Sequence, residues 1–97
     1  MVEESVVLVV HGFVQGVGYR DFVKRLADSM GIKGSVKNQD DGSVLIVARA
    51  ENGLLDRFEC DINISTRYGA QVLNVERSHS ASAALQENKP EGFRIIR

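Results

Sequence analysis

Tyr19, Phe22, Val23, Leu26, Ala27 and Met30 recur at steps of three and four residues, which lines them up on one helical face, and Gly31 follows as a stop. A helix with a single apolar face must lay it against another element. The neighbouring segments supply one: Val6 to Val10 is an unbroken valine-rich run of strand length, the composition of a strand with both faces at least partly covered. Ile32 to Lys37 and Ser43 to Arg49 read as two short strands, and "NQDDGS" between them carries an Asp-Gly pair that favours a tight hairpin turn. A second helix is expected from about Asn52, with Leu54, Leu55, Phe58 and Ile62 on its inner face and an end, poorly marked, between Asn63 and Tyr68. Gln71 to Arg77 reads as a fourth strand and Phe93 to Ile96 as a short fifth one. Between these two, "SHSASAALQENKPEG" is small and polar, holds the only proline, and reads as an exposed connection.

The resulting order, β-α-β-β-α-β with an added short strand, predicts an α+β sandwich of the split βαβ or ferredoxin-like kind, two helices on one face of an antiparallel sheet. The 97 residues suit one domain over positions 1–97. Twelve Lys and Arg against 13 Asp and Glu give a net charge of -1, which argues against a nucleic-acid partner. Cys60 is the only cysteine, so no internal disulfide is available, and Met1 to Ser5 are acidic where a signal peptide would be basic. The longest apolar run is too short to cross a bilayer. A cytoplasmic monomer without membrane attachment is the expectation.

Because many activities share this architecture, function has to be read from a site. The candidate is "HGFVQGVGYR", residues 11–20, between the first strand and the first helix. Glycines at 12, 16 and 18 let such a loop turn successive N–H groups inward, and the first turn of the helix adds its own unpaired N–H groups. Arg20 at the helix start can add a guanidinium to such an anion pocket. On spacing alone, a plain glycine-rich turn with a solvent-facing arginine fits equally well.

The residues themselves go further. "GFVQGVGYR", Gly12 to Arg20, resembles the first signature of the acylphosphatase family, G-x-V-Q-G-V-x-[FY]-R, at every fixed position. "GSVKNQDDGSV", Gly34 to Val44, is similar to the second signature, and the ending "GFRIIR" is also typical. The resemblance covers nearly the whole chain. It implies hydrolysis of the carboxyl–phosphate bond of small acyl phosphates, with no metal or other cofactor, and with inorganic phosphate or sulfate as anion ligands. Carried over by motif, Arg20 and the N–H groups of Gln15, Gly16, Val17, Gly18 and Tyr19 would hold the phosphoryl oxygens, and Asn38 would position the attacking water. Such a division of labour is chemically sensible: phosphoryl transfer rests on positioning and charge stabilisation, and a carboxylate leaving group needs no strong general acid.

Three departures from the family pattern stand out. Ser35 occupies the place of an aromatic residue, Ala50 that of a glycine, and "RYGAQ" near Tyr68 lacks the family's Gly-Pro. These bear on the packing of the second helix more than on catalysis. The remaining reactive-looking side chains have plainer roles in prospect: His11 a structural or supporting one beside the loop, His79 solvation, Asp40 and Asp41 turn chemistry, and Cys60 a small buried or half-buried side chain in the second helix. Two other classes of function remain to be distinguished from an enzyme. One is a catalytically weak anion-binding or regulatory module, against which the retention of both Arg20 and Asn38 speaks. The other is an RNA-binding module of the same topology, which would stack bases on sheet aromatics that Val6 to Val10 and Val44 to Ala48 do not contain.

Overall fold

The computed structural model describes residues 3–63, 70–79 and 92–96. Its elements run β1 (Glu3–Phe13), α1 (Tyr19–Met30), β2 (Lys33–Asn38), β3 (Val44–Glu51), α2 (Asn52–Ile62), β4 (Gln71–His79) and β5 (Phe93–Ile96). Five strands form one sheet in the order β4-β1-β3-β2-β5. β1 pairs antiparallel with both β3 and β4, and β2 antiparallel with β3. β5 lies parallel to β2, so the sheet is mixed where the sequence suggested a wholly antiparallel one. α1 packs over β2 and β5, α2 over β3 and β1.

Strand alternation explains the core. In β1 Val6, Leu8 and Val10 are buried against the helices, while Val7 and Val9 are half-buried on the opposite face, which accounts for an apolar run without polar interruption. Across the register, Val10 faces Val44, Leu8 faces Ile46 and Val6 faces Ala48, so one apolar stripe crosses the two central strands. Tyr19, Val23 and Ala27 of α1 and Leu55, Phe58 and Ile62 of α2 close over it. Each fully buried Val, Leu, Ile or Phe adds about 1.5–3 kcal/mol of transfer free energy. Phe58 and Phe93 meet edge to face with ring centroids 6.2 Å apart, tying the last strand to the second helix through the core.

α1 spans the expected residues, and Gly31 caps it in the left-handed region at φ 70°, its N–H reaching the Asp28 carbonyl. α2 begins at Asn52 as expected and ends at Ile62, slightly before the expected range. Arg77 of β4 reaches across to it, with Nη1 2.6 Å from Asp56 Oδ1 and 3.1 Å from Glu59 Oε1 and Nη2 3.0 Å from Asn52 Oδ1. Ala50 is buried in the core beneath this helix, and Ser35 is buried on the helix-free face, in register with Val47 and Arg94. Cys60 is exposed, contrary to the expected burial, because it falls about 200° around the helix from Phe58. Tyr68 and most of the polar connection before β5 lie outside the described residues. No described helix is long and apolar enough to cross a membrane.

Candidate functional site

The loop between β1 and α1 gathers most of the residues that the sequence singled out. Gly16 and Gly18 both take left-handed conformations, φ 76° and 78°, with half-buried Val17 between them. Left-handed residues in a tight turn can bring successive N–H groups toward a common point, and glycine takes that conformation without the steric cost that a Cβ brings. Gly18 is also the residue that caps α1, and it offers no side-chain hydrogen bond to the first turn. The positive end of the helix therefore opens directly onto the loop. Among the described residues, none of the N–H groups from Gln15 to Tyr19 donates to a backbone carbonyl.

Gly16, Gly18 and Tyr19 of this stretch border a cavity of about 140 Å³ that Val14, Arg20, Asp21 and Ile95 also line, whereas Gln15 and Val17 do not line it. That volume has room for a phosphoryl-sized anion with some water. The Arg20 side chain is half-buried at its edge, and Nη1 donates to the Ile96 carbonyl over 3.4 Å, a long bond that tethers the guanidinium to β5 while leaving its remaining N–H groups for another acceptor. Asp21 in the first helical turn completes the rim.

Two of the predicted residues have roles set by the other side of the loop. Tyr19 turns its ring into the core, where its hydroxyl donates to the Ile62 carbonyl over 2.9 Å and burial pushes the phenol pKa well above the ordinary tyrosine value. Only its backbone remains for a ligand. Gln15 sends its side-chain amide away from the cavity, to the carbonyls of Gln39 at 2.7 Å and Ser43 at 2.9 Å. That contact was beyond reach of motif reading, which used Gln15 only for its N–H.

Asn38 is the last residue of β2 and pairs with Val44, so it lies on the helix-bearing face at the end of the sheet nearest the loop. Its Oδ1 is buried and has no hydrogen-bond partner in the protein. It does not line the cavity itself. The covalent neighbourhood still brings it close: Ile96, the acceptor for Arg20, stands in register with Lys37, the residue before Asn38, and Gln39, the residue after it, accepts from Gln15. A buried amide oxygen without a partner costs about 1–3 kcal/mol, a cost that a bound water or ligand donating to it would relieve.

The neighbouring polar residues take the plainer roles. Asp41 accepts from the backbone N–H and hydroxyl of Ser43, bonds that hold its carboxyl below the usual aspartate range, with nearby His11 adding a smaller electrostatic contribution. The turn closes between Gln39 and Ser43, with Gly42 at φ 92°. It is thus a three-residue loop with glycine in its left-handed position, a standard use of an Asp-Gly pair. His11 follows Val10 on the helix-free face, with Nε2 3.7 Å from Glu76 Oε2, and does not line the cavity.

Comparison with known proteins agrees with the motifs. The sequence model of the acylphosphatase family matches residues 6–95. The acylphosphatase of Thermotoga petrophila is 42% identical over 84 residues, 87% of this chain and 83% of that protein. The acylphosphatase of Listeria monocytogenes is 50% identical over 75 residues, 77% of this chain and 81% of that protein. Among solved structures, the acylphosphatase of Bacillus subtilis superposes with a TM-score of 0.85 at 30% identity, covering 99% of this chain and 100% of that one. By sequence, by fold and by the loop that joins β1 to α1, the chain belongs to the acylphosphatase family and is an enzyme of that type, a hydrolase.

Proposed function

We propose that this protein hydrolyses the carboxyl–phosphate bond of small acyl phosphates, releasing carboxylate and inorganic phosphate. The observation that carries the reading is the convergence of left-handed Gly16 and Gly18, an uncapped helix start and the Arg20 side chain on one cavity. In this reading the N–H groups of Gln15, Gly16, Val17, Gly18 and Tyr19 donate to the phosphoryl oxygens, and the Arg20 guanidinium grips two of them. Asn38 holds the attacking water through Oδ1, in line with the bond that breaks. Negative charge spreads over the phosphoryl oxygens in the transition state, where fixed dipoles and a guanidinium stabilise it most. The departing carboxylate is already a weak base, so no general acid is required. The Tyr19 phenol, spent on Ile62, is not one. The protein would act alone as a single cytoplasmic domain, a monomer without cofactor.

The test is the release of carboxylate and phosphate from benzoyl phosphate, with and without a chelator. Turnover that survives chelation, and competitive inhibition by inorganic phosphate, are expected. Asn38→Ala should lower kcat by about two to four orders of magnitude with phosphate inhibition nearly intact. If Asn38→Ala instead lowers thermal stability and leaves turnover of the folded protein unchanged, the residue only ends a strand and the water-positioning role falls. Phosphate binding with no turnover in the unaltered protein would identify an anion-binding module.

A further inference from the structure

We infer that the side chain of Gln15 is a positioning residue for the proposed hydrolysis, fixing Asn38 relative to the phosphoryl cradle; the inference rests on the reading above. Gln15 is half-buried, and its backbone forms the first part of the loop that would hold the phosphoryl group. Its side-chain nitrogen donates to two carbonyls that lie 24 and 28 residues further along the chain, Gln39 at 2.7 Å and Ser43 at 2.9 Å. A primary amide has two N–H donors, and both are used.

The two acceptors close the β2–β3 turn. The Gln39 N–H donates to the Ser43 carbonyl over 2.8 Å, the Gly42 N–H to the Gln39 carbonyl over 3.1 Å, and the Gln39 side-chain amide to Ser43 Oγ over 2.9 Å. The turn is therefore already closed without Gln15. What the Gln15 amide adds is a link from this turn to the glycine loop. Asn38 immediately precedes Gln39, so one side chain sets the separation between the backbone that would hold the phosphoryl group and the backbone that carries the partnerless Asn38 Oδ1. Arg20, tethered through Ile96 to the strand beside β2, has its own link to the same end of the sheet. The glycine loop has none other among the described side-chain hydrogen bonds.

In-line attack is steep in distance: a misplacement of about 1 Å can cost about 100-fold in rate, whereas anion binding by the loop depends on the loop's own conformation. Loss of the link should therefore appear in kcat and not in phosphate affinity. Gln15→Met keeps the length and removes both donors. Gln15→Glu keeps the shape and sets a carboxylate against two carbonyl oxygens. Gln15→Asn keeps the amide and is one methylene too short to reach.

The experiment measures kcat for benzoyl phosphate, the inhibition constant for inorganic phosphate and the melting temperature for Gln15→Met, Gln15→Glu, Asn38→Ala and the double variant Gln15→Met/Asn38→Ala. For Gln15→Met we expect kcat lowered about 10–100-fold, phosphate inhibition within about threefold of the unaltered protein, and a larger kcat loss in Gln15→Glu. If Gln15 acts through Asn38, Gln15→Met costs almost nothing further once Asn38 is alanine, a non-additivity that a merely structural residue would not produce. Normal kcat in a folded Gln15→Met, full additivity in the double variant, or parallel losses of phosphate binding and kcat would each overturn the role. An unaltered protein that binds phosphate but hydrolyses no acyl phosphate would instead remove the reading beneath it, and the role with it.

Discussion

Replacing Arg20 by lysine separates a planar cation from a point charge at the same place. The guanidinium is half-buried, borders the cavity and is held to the Ile96 carbonyl through Nη1 at 3.4 Å. With one nitrogen so engaged, the rest of the fork can still give two parallel N–H bonds to a phosphoryl group. A lysine ammonium carries its three donors on one nitrogen and has no planar fork, so it cannot give two parallel bonds to the anion while it also holds the carbonyl. The substitution therefore removes about one charge-assisted hydrogen bond, on the order of 1.5–3 kcal/mol, from the bound ground state. This corresponds to phosphate inhibition weakened by about 10- to 150-fold. The transition state has more to lose, because charge accumulates on the oxygens being gripped, and kcat/KM for benzoyl phosphate should fall by about 100- to 1,000-fold. The charge at the helix start is unchanged, so the melting temperature should move little. Initial rates on benzoyl phosphate, competition by phosphate and a thermal melt on one preparation read all three quantities. Phosphate inhibition within a factor of about two of normal, with near-normal turnover, would show that the fork grips nothing and refute the assignment.

Tyr19→Phe leaves the buried Ile62 carbonyl without its donor, at a cost of about 1–3 kcal/mol, so the melting temperature should fall by about 4–8 °C per kcal/mol while kcat of the folded protein stays unchanged. Gly34→Ala should be more damaging: at φ 144° a Cβ would stand 1.8 Å from the Val47 carbonyl oxygen, and β2 and β3 would have to separate. A thermal or denaturant melt should show a loss of about 2 kcal/mol or more. Because the hydrogen bonds from Ser43 depress the folded-state pKa of Asp41, its contribution is present above the ordinary aspartate range and is lost as pH falls through the lowered value. Carboxyl chemical shifts should place its midpoint below that of an unstructured aspartate, and Ser43→Ala should raise it.

The parts of this molecule that the sequence makes legible are those whose cause is local. Tyr19, Val23 and Ala27 are buried at helical spacing, and the strand run Val6 to Val10 has its alternate residues against the helices, so periodicity alone places both. Cys60 has an equally local cause, yet residue type misled: a cysteine suggests burial, whereas its position two residues after Phe58 puts it on the outer face of α2, where the structure has it. Gly16, Gly18 and Arg20 were legible as a motif, because a left-handed backbone and a helix start leave a signature in the residue types that can adopt them. Ser35 was not, since its burial depends on strand parity and on neighbours in β3 and β5.

The candidate site is least legible where it depends on partners distant in the chain. Phe93 to Ile96 reads as a strand, yet nothing in four residues tells which edge it joins or in what direction. Its parallel pairing with β2 makes Ile95 a wall of the cavity and the Ile96 carbonyl the acceptor for Arg20. Parallel neighbours need a long crossover, and here the chain returns to β2 only after β3, α2 and β4. The contacts of Gln15 with Gln39 and Ser43 have the same origin, a side chain whose partners are chosen by the closure of the sheet and not by its own segment. A loop motif can therefore specify which atoms face an anion, while the distance from those atoms to Asn38 is set by the register of strands that the motif does not contain.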